Sequence, residues 1–160
     1  MKTLIAYHSK TGVTEKCARL LAEMIDSDTK LLDLSKDTIS SVNEFDNVIL
    51  GSFVHASRVS GKIKGFIKRF RKDIETKKFG IFLCMLGTEE DFRNYLKANF
   101  DQDLLRSCVA TGYFGGEIHF EKLNFIVRAL VKMIITRHGM PPAKVLQENI
   151  KAFAQKFKND

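Results

Sequence analysis

The segment Ser9-Lys10-Thr11-Gly12-Val13-Thr14-Glu15 gathers the groups that bind a phosphate. It follows a short apolar strand pattern, Thr3 to Tyr7, and precedes a helix pattern with Cys17, Ala18, Leu20, Leu21, Met24 and Ile25 as its apolar positions. A turn between a strand and a helix points backbone N–H groups outward, and the helix start adds a partial positive charge. Ser9, Thr11 and Thr14 add hydroxyl donors and Lys10 adds a full charge. The segment has a single glycine, so it is not the GxGxxG dinucleotide fingerprint, and it lacks the Gly-Lys-Ser/Thr ending of a nucleoside-triphosphate loop. A turn capped by Ser or Thr with no ligand is the plainer alternative.

Other residues offer less chemistry. His55 follows an apolar strand pattern; imidazole titrates near neutrality, which makes His55 the candidate for a proton-handling role, against a plain loop residue. His8 and His119 read as packing residues, and His138 beside Gly139 reads as a helix-end residue favoured by the dipole. Cys17, Cys84 and Cys108 form no CxxC pair and sit in apolar neighbourhoods, as buried, reduced thiols of a cytosolic protein do. No His, Cys, Asp and Glu residues show metal-ligand spacing, so no metal site is expected.

The elements that would position the turn alternate along the chain. Strand patterns cover Lys2 to Tyr7, Lys30 to Leu34, Asn47 to Phe53, Phe79 to Met85 and Ser107 to Phe114. The third and fourth are continuous apolar runs, as in strands covered on both faces. Helix patterns cover Val13 to Ile25, Lys62 to Lys72, Glu89 to Asn99 and Ala143 to Phe157. The alternation predicts an α/β fold: a doubly wound, five-stranded parallel sheet in the order 2-1-3-4-5 with helices on both faces. In that order, ligands bind at the carboxyl ends of strands one and three. Residues 115–140 form an insertion after strand five. Its helix pattern, Lys122 to His138, carries many apolar residues with Arg128, Lys132 and Arg137 on or near one stripe. It reads either as an added core helix with a basic outer face or as a membrane-surface or partner-docking helix.

A length of 160 residues suits one domain, 1–160. The first residues enter a strand directly, so no signal peptide is expected, and no apolar run is long enough to span a bilayer. The net charge of +7 favours anionic partners. No aromatic-interleaved basic strand motif points to nucleic acid.

Three separated segments match a known family. The turn Ser9 to Thr14 resembles the FMN phosphate loop of flavodoxins. The run Val48 to His55 with Gly61 and Phe66-Ile67, together with Phe114-Gly115-Gly116-Glu117-Ile118-His119-Phe120 leading into Phe125 to Ile134, resembles the menaquinone-dependent protoporphyrinogen IX dehydrogenases, a flavodoxin-domain branch. The resemblance implies FMN as cofactor, with its phosphate on Ser9, Lys10, Thr11, Gly12, Val13 and Thr14. It implies a flavin ring held between Ser52, Phe53, Val54, His55 and Ala56 on one side and Leu86, Gly87 and Thr88 on the other. Flavodoxins commonly stack an aromatic residue on that ring. This chain has no Trp, and neither loop contains Tyr, which leaves Phe53 and His55. It further implies a porphyrinogen-oxidising enzyme of heme biosynthesis that passes electrons to a quinone, cytoplasmic with peripheral membrane contact through 122–138. A flavodoxin-type electron carrier and a non-catalytic binding module are the alternatives. Carrier flavodoxins are typically acidic, and this chain is basic.

Overall fold

The computed structural model describes residues 1–25, 28–118, 121, 124–138 and 143–159. His119 and the expected helix start at Lys122 lie outside them, as do Gly139 and Met140. In chain order the elements are β1 (Lys2–His8), α1 (Val13–Met24), β2 (Asp28–Asp33), β3 (Asn47–His55), β4 (Arg58–Val59), α2 (Gly61–Ile74), β5 (Lys78–Cys84), α3 (Glu89–Asn99), α4 (Gln102–Ser107), β6 (Cys108–Tyr113), α5 (Phe125–His138) and α6 (Gln147–Asn159).

The parallel strands run β2-β1-β3-β5-β6, which is the expected order 2-1-3-4-5 once the short β4 is set aside as the antiparallel partner of β3. The register places Tyr7 beside Gly51 and His8 beside Ser52, so β1 and β3 end level with each other. β3 is buried without alternation from Asn47 to Ser52 because both faces of the sheet are covered. β2 alternates and lies at the edge.

One apolar layer joins α2, α3 and α4 to the sheet through Ile63, Phe66, Phe70, Phe92, Leu96 and Leu104. The other joins α1 and α6 through Cys17, Leu21, Ile150, Phe153 and Phe157. Helical spacing accounts for the inward face of α2, where Ile63, Phe66, Ile67, Phe70 and Ile74 are buried.

Glycines make room for the large rings. A Cβ on Gly51 would lie 2.2 Å from the Phe82 ring, and one on Gly112 would lie 2.5 Å from Phe114. Phe82 and Phe114 stack with centroids 4.5 Å apart.

The structure differs from the sequence expectation at three places. Residues 143–146 are not helical. Val145 bridges Gly115, and the Leu146 amide donates to the Phe114 carbonyl at 2.9 Å. This segment closes the end of β6 before α6 begins. The short α4 and the hairpin strand β4 carry no periodic signal of their own; Asp101 starts α4 by accepting from the Leu104 amide at 2.9 Å. Finally, α5 is not a core helix. Phe125, Ile126, Leu130 and Met133 are 80, 65, 50 and 44% exposed, so its apolar side has no cover among the described residues.

Gly51→Ala forces a methyl group into the Phe82 ring and is expected to destabilise the fold by about 1–3 kcal/mol. Gly65 lies in α2 with nothing within 4 Å of the Cβ position, so Gly65→Ala is expected to stabilise by about 0.5–1 kcal/mol. Paired denaturant melts check both signs.

Candidate functional site

The crevice lies where β1 and β3 end together. β1 leads into the turn Ser9 to Gly12 and then α1. Gly12 adopts φ +94°, the left-handed region that glycine enters without strain. Its amide donates to Ser9 Oγ at 3.0 Å, and its carbonyl receives the Lys16 amide at 2.9 Å. No side chain caps α1. The amides of Val13, Thr14 and Glu15 therefore open the helix with no intrahelical acceptor. Lys10 and Thr11 are exposed beside them, while Thr14 is buried. The arrangement leaves these amides free of a side-chain cap and able to donate to an anion as partner.

Three further strand ends complete the walls. The cleft is lined by Lys10, Thr11, Val13 and Thr14 from the turn; Phe53, Val54 and His55 from β3; Cys84, Met85 and Leu86 from β5; and Gly116 and Glu117 after β6. Phe53 to His55 and Met85-Leu86 supply apolar walls for a flat ring, and the cradle supplies a place for one phosphate. The residues present thus fit a mononucleotide, and among the described residues no second cradle for a pyrophosphate lines the cleft.

Not every expected residue faces the cleft. Ser52 is buried; its hydroxyl donates to the Phe53 carbonyl at 2.8 Å and accepts the Ser60 amide at 3.0 Å, tying the hairpin to α2. Ala56 sits at the hairpin tip. Thr88 is spent on a capping box, accepting from the Asp91 amide at 3.1 Å while its own amide donates to Asp91 Oδ2 at 2.8 Å. The Gly87 carbonyl accepts from the Tyr113 hydroxyl at 2.7 Å. Four lining residues were not expected at the site from sequence: Cys84, Met85, Gly116 and Glu117. The Gly115-Gly116 pair was the available signal. Gly115 takes φ +76°, and a Cβ on Gly116 would lie 2.9 Å from the Met85 backbone. Only a side-chain-free loop comes this close to the end of β5. Glu117 pairs with Lys16 at 2.6 Å, drawing that loop onto α1.

The β3–β4 hairpin turns through Ala56 (φ 47°) and Ser57 (φ 63°), two residues that rarely enter the left-handed region. Such a turn costs of order 1 kcal/mol or more per residue and persists where neighbours hold it. Asn99 does so: its amide donates to the Ser57 carbonyl at 2.9 Å, and its carbonyl accepts the Val59 amide at 3.1 Å. The clamp presents Val54 and His55 to the cleft.

His8 is a positioning residue. Its Nδ1 lies 2.5 Å from Ser60 Oγ, and its ring is tilted 58° to Phe53 with centroids 5.2 Å apart. Burial, and then the charge of Lys62, holds its pKa below the ordinary value. Burial and the Cys17 thiol raise the Cys84 pKa, and burial pushes Cys108 up to about 12. The thiols are thus held protonated, in keeping with packing roles. No cluster of three metal-ligating side chains occurs among the described residues.

A crevice beside an uncapped helix start, at the switch point of a 2-1-3-4-5 parallel sheet, is the architecture of a flavodoxin-like domain. The chain belongs to the flavodoxin domain family, whose sequence profile matches residues 4–144. No curated protein matches it closely enough to count as a relative. Solved structures agree in fold. It is similar to a short-chain flavodoxin associated with a non-canonical PDU bacterial microcompartment, at 12% identity and TM-score 0.64 over 99% of this chain and 97% of that one. It is also similar to the flavodoxin of Streptococcus pneumoniae TIGR4 (14% identity, TM-score 0.60, 99% of both chains). A third neighbour is a Fusobacterium nucleatum flavodoxin mutant with bound flavin mononucleotide (12%, TM-score 0.58, 99% and 95%).

Because the His8 pKa is lowered on folding, the unfolded chain binds more protons just below the ordinary value of 6.5. Stability from this residue is complete above that pH and is lost as pH falls through the folded pKa. Urea melts from about pH 7.5 to 5 should show this slope. His8→Gln should remove it and leave only the carboxylate losses at lower pH.

Proposed function

We propose that the chain binds FMN in this cleft and works as a redox protein of the flavodoxin kind, exchanging electrons with partners. The observation that carries this reading is the uncapped start of α1, with its glycine in the left-handed region and its hydroxyl-bearing flank, at the level ends of β1 and β3. The flavin-bearing Fusobacterium neighbour and the other flavodoxin neighbours support it. Ser9, Lys10, Thr11, Gly12, Val13 and Thr14 would hold the phosphate; Phe53, Val54, His55 and Leu86 would flank the ring. When bound, FMN supplies the one- and two-electron chemistry that side chains lack. The chain's own part is to bind, orient and shield. Phe53 and Val54 exclude water on one side and Met85 on the other, while Lys10 supplies positive charge at the mouth. His55 stands exposed at the rim, placed to exchange a proton with a substrate or with solvent.

A second reading narrows the first to an FMN-dependent porphyrinogen dehydrogenase that hands electrons to a quinone. The observation that favours it is α5, whose exposed apolar residues are interspersed with Arg128, Lys132 and Arg137. No helix of the described residues is long and apolar enough to cross a membrane, so contact of this kind would be lateral. An open wall without Tyr or Trp on the flavin suits substrate access. The flavodoxin neighbours support the carrier reading more strongly.

Thr11→Ala with Thr14→Ala removes two hydroxyl donors to a dianion. At about 1.5–3 kcal/mol for each charge-assisted bond, FMN affinity should fall at least tenfold. A fluorescence titration with unchanged affinity removes the site. FAD should bind more weakly than FMN to the wild type, for want of a second cradle.

The two readings part in an anaerobic assay of the FMN-loaded protein with protoporphyrinogen and a menaquinone analogue. Turnover supports the dehydrogenase. Absence of turnover, with two widely separated one-electron potentials in a redox titration, supports the carrier.

The lateral membrane contact has its own test. Wild type should co-sediment with anionic vesicles, and an Arg128→Glu, Lys132→Glu, Arg137→Glu variant should lose well over tenfold in binding, at about 1 kcal/mol per basic residue. Wild type that ignores the vesicles overturns the membrane contact.

A further inference from the structure

Beside the cofactor cleft, and sharing Lys10, Phe53 and His55 with it, a second concavity is bounded by His8, Arg58, Val59, Ser60, Gly61 and Lys62. Among the described residues no Asp or Glu lines it. Lys10, Arg58 and Lys62 are exposed and form no ion pair among the described residues. The positive charge continues from this mouth along α2. Lys64, Lys68 and Lys72 are also exposed and likewise unpaired, and the first turn of α2 holds no acidic residue. Asp101 and Glu75 bind Arg71; Asp37 shares a groove with Lys62 and Arg69, and Asp73 lies at the far end of α2.

We infer that this stripe, from the cleft mouth down α2, is the docking surface for an acidic redox protein. The inference rests on the FMN reading above and names the partner's chemistry. From Lys62 to Lys72 the stripe runs about 15 Å at the helical rise, longer than the carboxylates of one small molecule would need. It carries no exposed large apolar side chain; among the described residues those lie on α5, at Leu86 and at Met1. Unpaired charge with little apolar area marks a transient encounter surface, in which electrostatics sets the association rate more than the affinity. Its position makes that encounter useful, because a partner seated on the stripe also covers Phe53 and His55 at the edge of the cofactor site. An anionic lipid surface would engage the apolar side of α5 instead.

The test uses FMN-loaded protein and two redox probes of opposite charge. The donor is a reduced, acidic plant-type [2Fe–2S] ferredoxin, which gives up one electron per cluster, so that two are oxidised for each flavin fully reduced, with protons from solvent. The acceptor is oxidised, basic cytochrome c, which takes one electron per haem from the reduced protein. In stopped-flow measurements the ferredoxin rate should fall at least tenfold as salt rises from about 20 to about 500 mM, while the cytochrome c rate stays level or rises. A Lys64→Glu, Lys68→Glu, Lys72→Glu variant should react at least tenfold more slowly with ferredoxin at low salt and faster with cytochrome c. A Gln series at the same positions should fall between, and guards against misfolding of the Glu variant.

Titrating ¹⁵N-labelled protein with oxidised ferredoxin reads binding apart from turnover. Shifts should gather at residues 10, 58 and 62–72 and vanish at high salt. A salt-independent ferredoxin rate or an unchanged variant overturns the proposal. So does loss of anionic-vesicle binding in the lysine variant with ferredoxin kinetics intact, which would assign the stripe to lipid. FMN affinity is measured first: failure to bind FMN sinks the cofactor reading, whereas normal FMN binding with no charge preference sinks only this inference.

Discussion

The site depends on one topological constraint. β1 and β3 are hydrogen-bonded neighbours, yet the helices that follow them leave for opposite faces of the sheet. α1 packs with α6, and α2 shares its apolar layer with α3 and α4. Neither connection can cover the ends of the two strands, so a crevice opens there by necessity. Into it project the first amides of α1, which a helix cannot satisfy from within. A side-chain cap would have closed the site. Instead Ser9 ties back Gly12, and the amides beyond it stay available.

The walls are set by contacts between elements distant in sequence. Asn99, at the end of α3, holds a hairpin whose two turn residues would not choose their conformation unaided. Ser52 and Ser60 fix the root of the same hairpin to α2. On the far side, the Met85 amide donates to the Gly115 carbonyl at 2.8 Å, and the side-chain-free Gly116 lets the β6 loop lie against the end of β5. Each clamp uses backbone polar groups that would otherwise need water at a partly dry cleft. The walls are therefore held by these hydrogen bonds together with the burial of Val13, Cys84 and Met85 in the apolar layers.

Outside the cleft the molecule divides its surface chemistry. Positive charge without apolar area lies along α2, and apolar area with interspersed positive charge lies on α5. These two surfaces answer different physical forces: one is weakened by salt, and the other persists through burial of apolar area. The two surfaces of this basic chain lie on separate helices.

Periodicity and local turn chemistry determined the fold from sequence. Continuous apolar runs gave β3 and β5, helical spacing gave the inward face of α2, and alternation of the two gave the strand order. Ser9 to Thr14 could be read as a cradle because a phosphate turn is built from consecutive residues. The rest needed the tertiary structure. Residues 143–146 look helical in sequence, but the backbone of Phe114 and Gly115 captures them. Ser52 and Thr88 have the chemistry of ligand contacts but spend it on Ser60 and Asp91. Gly116 and Glu117 join the cleft only because β6 lies beside β5. Whether α5 is covered or bare cannot be read from its apolar content. Burial is a property of what packs against a helix, and only the folded chain shows that nothing among the described residues covers its apolar side.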